Sequence, residues 1–275
     1  MVAVTEELIR SLNSDRPVER WQAAMRLADA ARSQESEVLA ALGDALEDSH
    51  PFVRWQAGLS LAQADRRRTV AVLYAALNEG GPCRQAAAAD ALTYARKAEA
   101  EPLLHALASQ DALVRQSAAE AVGRLGYRQA MSQLIVLLKD EPPWVRRAAV
   151  RALGHIGDSG VVEPLMARLG DDSVWVRRSA GYALGALRAQ QAISALMSAL
   201  DDQDSQVRRN AAWALGRIGD PAALLRLQAL ENDHALGGQV AQAAEAARNT
   251  IRRPAWQRLP DAAYKRFVRL WPRHT

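Results

Sequence analysis

Arginine beside tryptophan or tyrosine is the chemistry this sequence offers most often. Trp144, Arg147, Arg151 and His155 form one such group, Trp175, Arg178 and Tyr182 a second, and Arg209, Trp213 and Arg217 a third. Phe52 and Trp55 stand earlier, with Gln116 and Arg124 between. A guanidinium makes paired hydrogen bonds to a carboxylate or phosphate and stacks on an aromatic face. Aromatic residues and arginine also dominate protein-interface hot spots. The set therefore suits an acidic group, a flat conjugated ligand or a protein surface. Hydrolytic or redox catalysis has little to stand on, because no Ser-His-Asp order, glycine-rich phosphate loop or metal-ligand spacing is recognisable.

The groups are spaced by a repeat. Val114-Arg115, Val145-Arg146, Val176-Arg177 and Val207-Arg208 follow one another at 31 residues, and Val53-Arg54 precedes them. Arg84, in "PCRQAAAADAL", keeps nearly that spacing, but the following Ala-Leu arrives one residue late, so that copy has slipped register. "ERWQAAMRLADA" from Glu19 reads as a divergent first copy and "QVAQAAEAARNTI" from Gln239 as a divergent last one, giving about eight units. A period of this length marks stacked supersecondary units that share one core.

Each unit reads as two helices. Val145, Ala149, Ala152, Leu153 and Ile156 fall on one apolar helical stripe. Gly157-Asp158 and Gly219-Asp220 supply a helix stop and a cap for the next helix, with Pro221 suited to its first turn. "VVEPLMARL" (161–169) and "AISALMSAL" (192–200) supply the partner helices. Acidic loops at Asp171-Asp172 and Asp201-Asp202 precede the second helix, where carboxylates favour the positive end of its dipole. The predicted fold is all-α: an α-solenoid over residues 1–251, followed by a tail at 252–275.

"WVRRAAVRALGHIGD" and "WVRRSAGYALGALR" resemble short bacterial HEAT-like repeats, and more narrowly the HEAT-like repeats named after phycobilisome lyases. The resemblance implies that the second helix of each pair lines the concave, ligand-facing side. It also implies two kinds of activity: scaffolding, or service as a subunit of an E/F-type lyase that attaches or isomerises open-chain tetrapyrroles on phycobiliproteins. The partner would then be a protein, a second HEAT-like subunit or a phycobiliprotein, with a bilin as substrate and no other cofactor. Deoxyhypusine hydroxylase also resembles this chain in repeat form but needs paired His-Glu motifs. The five histidines here are followed by Pro51, Ala106, Ile156, Ala235 and Thr275.

The residue types sort by position. Arg54, Arg115, Arg146, Arg177 and Arg208 repeat with the scaffold and read as structural, tethered to loop acids or carbonyls near Asp140, Asp171 or Asp202. The aromatic–arginine set lies one residue before, or two, six and ten after, each valine. At 3.6 residues per turn these positions share one face, offset from the apolar stripe. They form a binding groove, or else the aromatics pack between successive units and the arginines are merely solvated. Cys83, the one cysteine, excludes an internal disulfide and reads as a small packing residue.

Net charge is +4, but the tail from Arg252 holds seven cations and one acid, which leaves −2 for the repeats. Phosphate neutralisation needs a clustered basic excess, so nucleic-acid binding is disfavoured. The tail is basic and amphipathic and would cap the last repeat or dock on an acidic partner or anionic membrane. With no membrane-length apolar run and no secretory leader, a cytoplasmic protein is expected.

Overall fold

The computed structural model describes residues 2–32, 35–64, 67–95, 100–231 and 238–252. The tail at 253–275, and with it the predicted cap, lies outside the described residues. The chain forms two compact units, Met1–Ile156 and Gly157–Thr275. In the first, α1 (Val2–Ser11) pairs with α2 (Pro17–Arg32), α3 (Ser36–Asp44) with α4 (Pro51–Ala64) and α5 (Arg67–Glu79) with α6 (Pro82–Leu92). Two further pairs follow, α7 (Ala100–Ala106) with α8 (Ala112–Leu125) and α9 (Met131–Leu137) with α10 (Pro143–Ile156). The second unit holds α11 (Val162–Ala167) with α12 (Val174–Ala186), α13 (Ile193–Ala199) with α14 (Ser205–Ile218), and α15 (Leu224–Glu231) with α16 (Gly238–Arg252). These are helix pairs of an α-solenoid, with no strand among the described residues.

Helix ends follow local chemistry. Gly126 and Gly219 end α8 and α14 at φ 70° and 81°, the left-handed conformation that an L side chain resists. Asp220 then accepts from the Ala222 N–H and Pro221 starts a 3-10 turn, so the predicted stop, cap and proline act together. The loop acids precede the second helices and also close the loops. Asp171 and Asp202 accept from the N–H of Ser173 and Asp204 two residues on, which closes the loop. The cap of α14 is Asp204, bound to the Val207 N–H, and α12 begins at Ser173 with no side-chain cap.

In each unit the second helices stack on one another in chain order, α2 to α10 in the first and α12 to α16 in the second. Val53, Val114, Val145, Val176 and Val207 are at most 1% exposed, and Leu61, Val122, Leu153, Leu184 and Leu215, eight residues after each, are fully buried. The backbones approach closely where a glycine of one helix meets an alanine of the next. A Cβ on Gly123 would lie 2.5 Å from the Ala152 Cα, and one on Gly185 or Gly216 would lie 2.7 Å from the Cα of Ala214 or Ala247.

The slipped copy resolves in favour of its core. In α6 and the turn after it, Ala88, Ala91, Leu92 and Ala95 take the buried positions. That register puts Arg84 where the other repeats carry valine, and its buried Nε has no partner. Cys83 lands one position earlier and is exposed, so it is not the packing residue expected.

Two substitutions test this packing. Gly123→Ala should destabilise the first unit by about 1–3 kcal/mol, because a backbone atom is what the new methyl meets. Arg188, at φ 50°, sits one residue past the last turn of α12, where other repeats have glycine. Arg188→Gly should therefore stabilise by about 0.5–1 kcal/mol. Urea unfolding of both variants against the parent reads the two signs.

Candidate functional site

The scaffold arginines act as forks. Arg177 Nη1 donates to the carbonyl oxygens of Asp171 and Asp172 in its own loop, while its Nε and Nη2 grip the Asp202 carboxylate of the next loop at 2.8 and 3.1 Å. Arg115 does the same with Ser109, Gln110 and Asp140, and Arg20 with Ser14, Asp15 and Asp48. Arg54, Arg146 and Arg208 make the same pair of carbonyl contacts. Burial alone would raise the Asp202 pKa, but the Arg177 fork and the Asp204 N–H outweigh it and leave the carboxyl lowered. The acceptor lies six residues before each scaffold arginine. It is aspartate at 48, 140, 171 and 202, but the same position holds Glu79 (six before Gln85 in the core register of α6) and Ser109 in the third and fourth loops. A cleft of about 300 Å³ lies between the third and fourth loops, lined by Asn78, Gln85, His105 and Ser109.

Every residue of the predicted binding face lies on a second helix. In the second unit the face is built by contacts between repeats. Arg178 stacks on Trp175, its guanidinium 4.6 Å from the ring centroid, and makes a two-pronged ion pair with Asp204 at 2.8 and 2.6 Å. Tyr182 of α12 stacks on Trp213 of α14, centroids 4.9 Å apart and planes within 5°. Arg217 reaches the other end of the same Trp213, 5.7 Å from its centroid. Asn210 donates to the Arg178 carbonyl, adding a further tie between the two helices. Aromatic packing between repeats and an open face thus coexist: Trp175 and Tyr182 remain 55% exposed, and Arg209 and Arg217 are exposed. Arg178 is committed to Asp204 and positions Trp175, whereas Arg209 and Arg217 face outward.

In the first unit the face begins with Phe52 and Trp55 on α4 and ends with Trp144, Arg147, Arg151 and His155, all exposed, on α10. Between them, the core register of α6 brings forward residues that alignment on Arg84 conceals. Cys83, Ala86, Asp90 and Tyr94 stand at the face positions of α6, as Leu113, Gln116, Glu120 and Arg124 do on α8. Aligning α6 on Ala91-Leu92 instead of Arg84 would have found Asp90 and Tyr94 from sequence. A groove of about 140 Å³ runs across α4, α6 and α8, with Trp55, Leu59, Asp90, Tyr94, Leu113 and Ser117 among its walls. Desolvation by those walls and the negative charge of Glu120 push the Asp90 carboxyl up to about 6, against the Ser117 hydrogen bond and Arg124. Arg124 donates to the Tyr94 hydroxyl at 3.3 Å. No cluster of three potential metal ligands occurs among the described residues.

Comparison with known proteins agrees with this architecture. A family model described as HEAT repeats matches residues 5–93, 100–185 and 163–248, and the chain belongs to the HEAT-repeat family. No curated protein matches it. Among solved structures, Escherichia coli YibA is 20% identical over 90% of this chain and 92% of its own, with a TM-score of 0.66. Kap95p, solved bound to RanGDP, is 13% identical over 97% of this chain and 43% of its own, with a TM-score of 0.65. These two likenesses establish the fold. The CpcE–CpcF phycocyanin lyase complex from Nostoc sp. PCC7120 is 24% identical over 90% of this chain and 94% of that one, but its TM-score of 0.43 carries no argument.

Two carboxylates give opposite pH signatures. The Arg178 ion pair holds the Asp204 pKa down at about 2, so this stabilisation is present above pH 4 and is lost as pH falls through 2. Asp204→Asn, which keeps the cap, should remove about 1–2 kcal/mol at pH 5 and flatten the acid slope. Asp90 is raised, so the folded state holds its proton more tightly and stability falls as pH rises from about 4 through about 6. Asp90→Asn should be the more stable protein at pH 7.5 and lose that advantage near pH 4, read by urea unfolding across the range.

Proposed function

We propose that this HEAT-repeat chain is a non-catalytic scaffold that binds a protein partner on the outward face of its second helices. One observation carries the reading: Phe52 and Trp144 in the first unit, and Trp175 and Tyr182 in the second, are each more than half exposed on second helices. Large apolar side chains gathered with arginine in this way mark interaction surfaces rather than solvated ones. The partner contacts fall to Trp144, Arg147 and Arg151 in the first unit and to Trp175, Tyr182, Arg209 and Arg217 in the second. Arg178 serves by holding Trp175 in place.

A second reading rests on the Tyr182–Trp213 stack with Arg217 at its end, an aromatic platform beside a cation. An open-chain tetrapyrrole, flat and carrying two propionates, has the matching chemistry. On this reading the chain is a subunit of a phycobilin lyase of the type that its repeats resemble.

Affinity capture from the source organism compares the parent with Trp144→Ala/Arg151→Ala. Both positions are exposed, so the variant should melt at the parental temperature and lose a captured partner, with affinity reduced about 30-fold or more for a hot-spot pair. An unchanged partner set would remove Trp144 and Arg151 from the account. Mixing the purified protein with a bilin tests the second reading. That reading predicts altered visible absorption and induced circular dichroism, and no change, alone or with a second HEAT-like subunit, overturns it.

A further inference from the structure

We propose that the groove across α4, α6 and α8 receives a basic peptide segment, with an apolar side chain on Trp55 and Leu113 and an arginine or lysine between Asp90 and Glu120. This deepens the scaffold reading by giving one stretch of the face a partner chemistry, and it rests on that reading.

The argument starts from what the groove leaves open. Trp55 is 46% exposed, Tyr94 46% and Leu113 41%, so its rim is apolar surface that water contacts at a cost. Its charge is different in kind. Asp90 lines the groove, and Glu120 stands at the same face position on the next helix, so like charges are held near one another. Desolvation, and after it the negative charge of Glu120, is what raises Asp90. Arg124 offsets part of this charge but is turned to the Tyr94 hydroxyl, and Arg54 is held by the carbonyl oxygens of Asp48 and Ser49. A cation supplied from outside would relieve the repulsion, gain the faces of Trp55 and Tyr94, and leave its apolar neighbour on the rim. An anionic ligand would meet the opposite field. The face therefore changes partner chemistry along the first unit, from acidic at α6 and α8 to basic at Arg147 and Arg151 on α10.

The probe is a fluorescein-labelled nonapeptide carrying two arginines that alternate with two leucines in a Gly/Ser frame, titrated with the full chain by fluorescence anisotropy. A second peptide has glutamine in place of arginine. The arginine peptide should bind at least tenfold more tightly than the glutamine peptide. Asp90→Asn/Glu120→Gln should cost at least tenfold with the arginine peptide, and Trp55→Ala at least fivefold with both. Equal binding of the two peptides, indifference to Asp90→Asn/Glu120→Gln, or no binding by the parent at about 1 mM would each overturn the proposal. The peptide comparison needs no variant, so a misfolded substitution does not obscure the result. Failure here with partner loss in Trp144→Ala/Arg151→Ala would sink the basic-peptide groove and leave the scaffold standing; the reverse outcome would sink the Trp144–Arg151 surface alone.

Discussion

One arginine per repeat sets the geometry of the stack. The guanidinium is planar and presents donors in two directions, so one edge can close its own loop through two carbonyl oxygens while the other grips a carboxylate of the next loop. Arg20, Arg115 and Arg177 make both sets of bonds. A lysine would supply the charge without the two-sided registry. The fork fixes where each second helix begins relative to the next. Downstream, glycine meets alanine at backbone distance and the valine and leucine positions close over a shared core. Every side chain on the outward face inherits its place from that stack.

The ladder is not uniform, and its exceptions coincide with the most distinctive surface. Glu79 and Ser109 stand where other loops carry the acceptor aspartate, and Arg84 has moved into a core position with its Nε unpartnered. In the same helices the face carries the carboxylates of Asp90 and Glu120, and the groove with Trp55 opens beside them. A one-residue shift of α6 rotates its side chains by about 100°. That rotation exchanges one set of face residues for another without altering the fold.

Much of this was legible in the sequence. The period, the paired helices, the buried Val–Ala–Leu stripe and the glycine stops followed from spacing and from which residues tolerate a left-handed backbone. The scaffold arginines stood out because they do not vary. What stayed hidden depended on partners distant in sequence. Arg178 looks like a free binding group until Asp204, 26 residues on, is seen to hold it. Asp171 and Asp202 precede a helix as their spacing suggests, but their bonds to the N–H of Ser173 and Asp204, which close the loop, are visible only in the structure. Asp90 and Tyr94 were missed because Arg84 is the more visible landmark in its repeat, while burial is decided by Leu92. Where a conspicuous charge and a modest apolar pattern disagree by one residue, the apolar pattern governs, since a buried leucine stabilises more than a half-exposed arginine does.

The central claim is that the outward face of the second helices is the contact surface. Hydroxyl-radical footprinting of the chain with its captured partner measures this most directly, because tryptophan, tyrosine and methionine oxidise in proportion to exposure. The account predicts protection at Trp144, Trp175 and Tyr182 on the second helices, with Met166 and Met197 on α11 and α13 oxidised as in the free protein. Protection at Met166 and Met197 with the aromatic residues still reactive would contradict it.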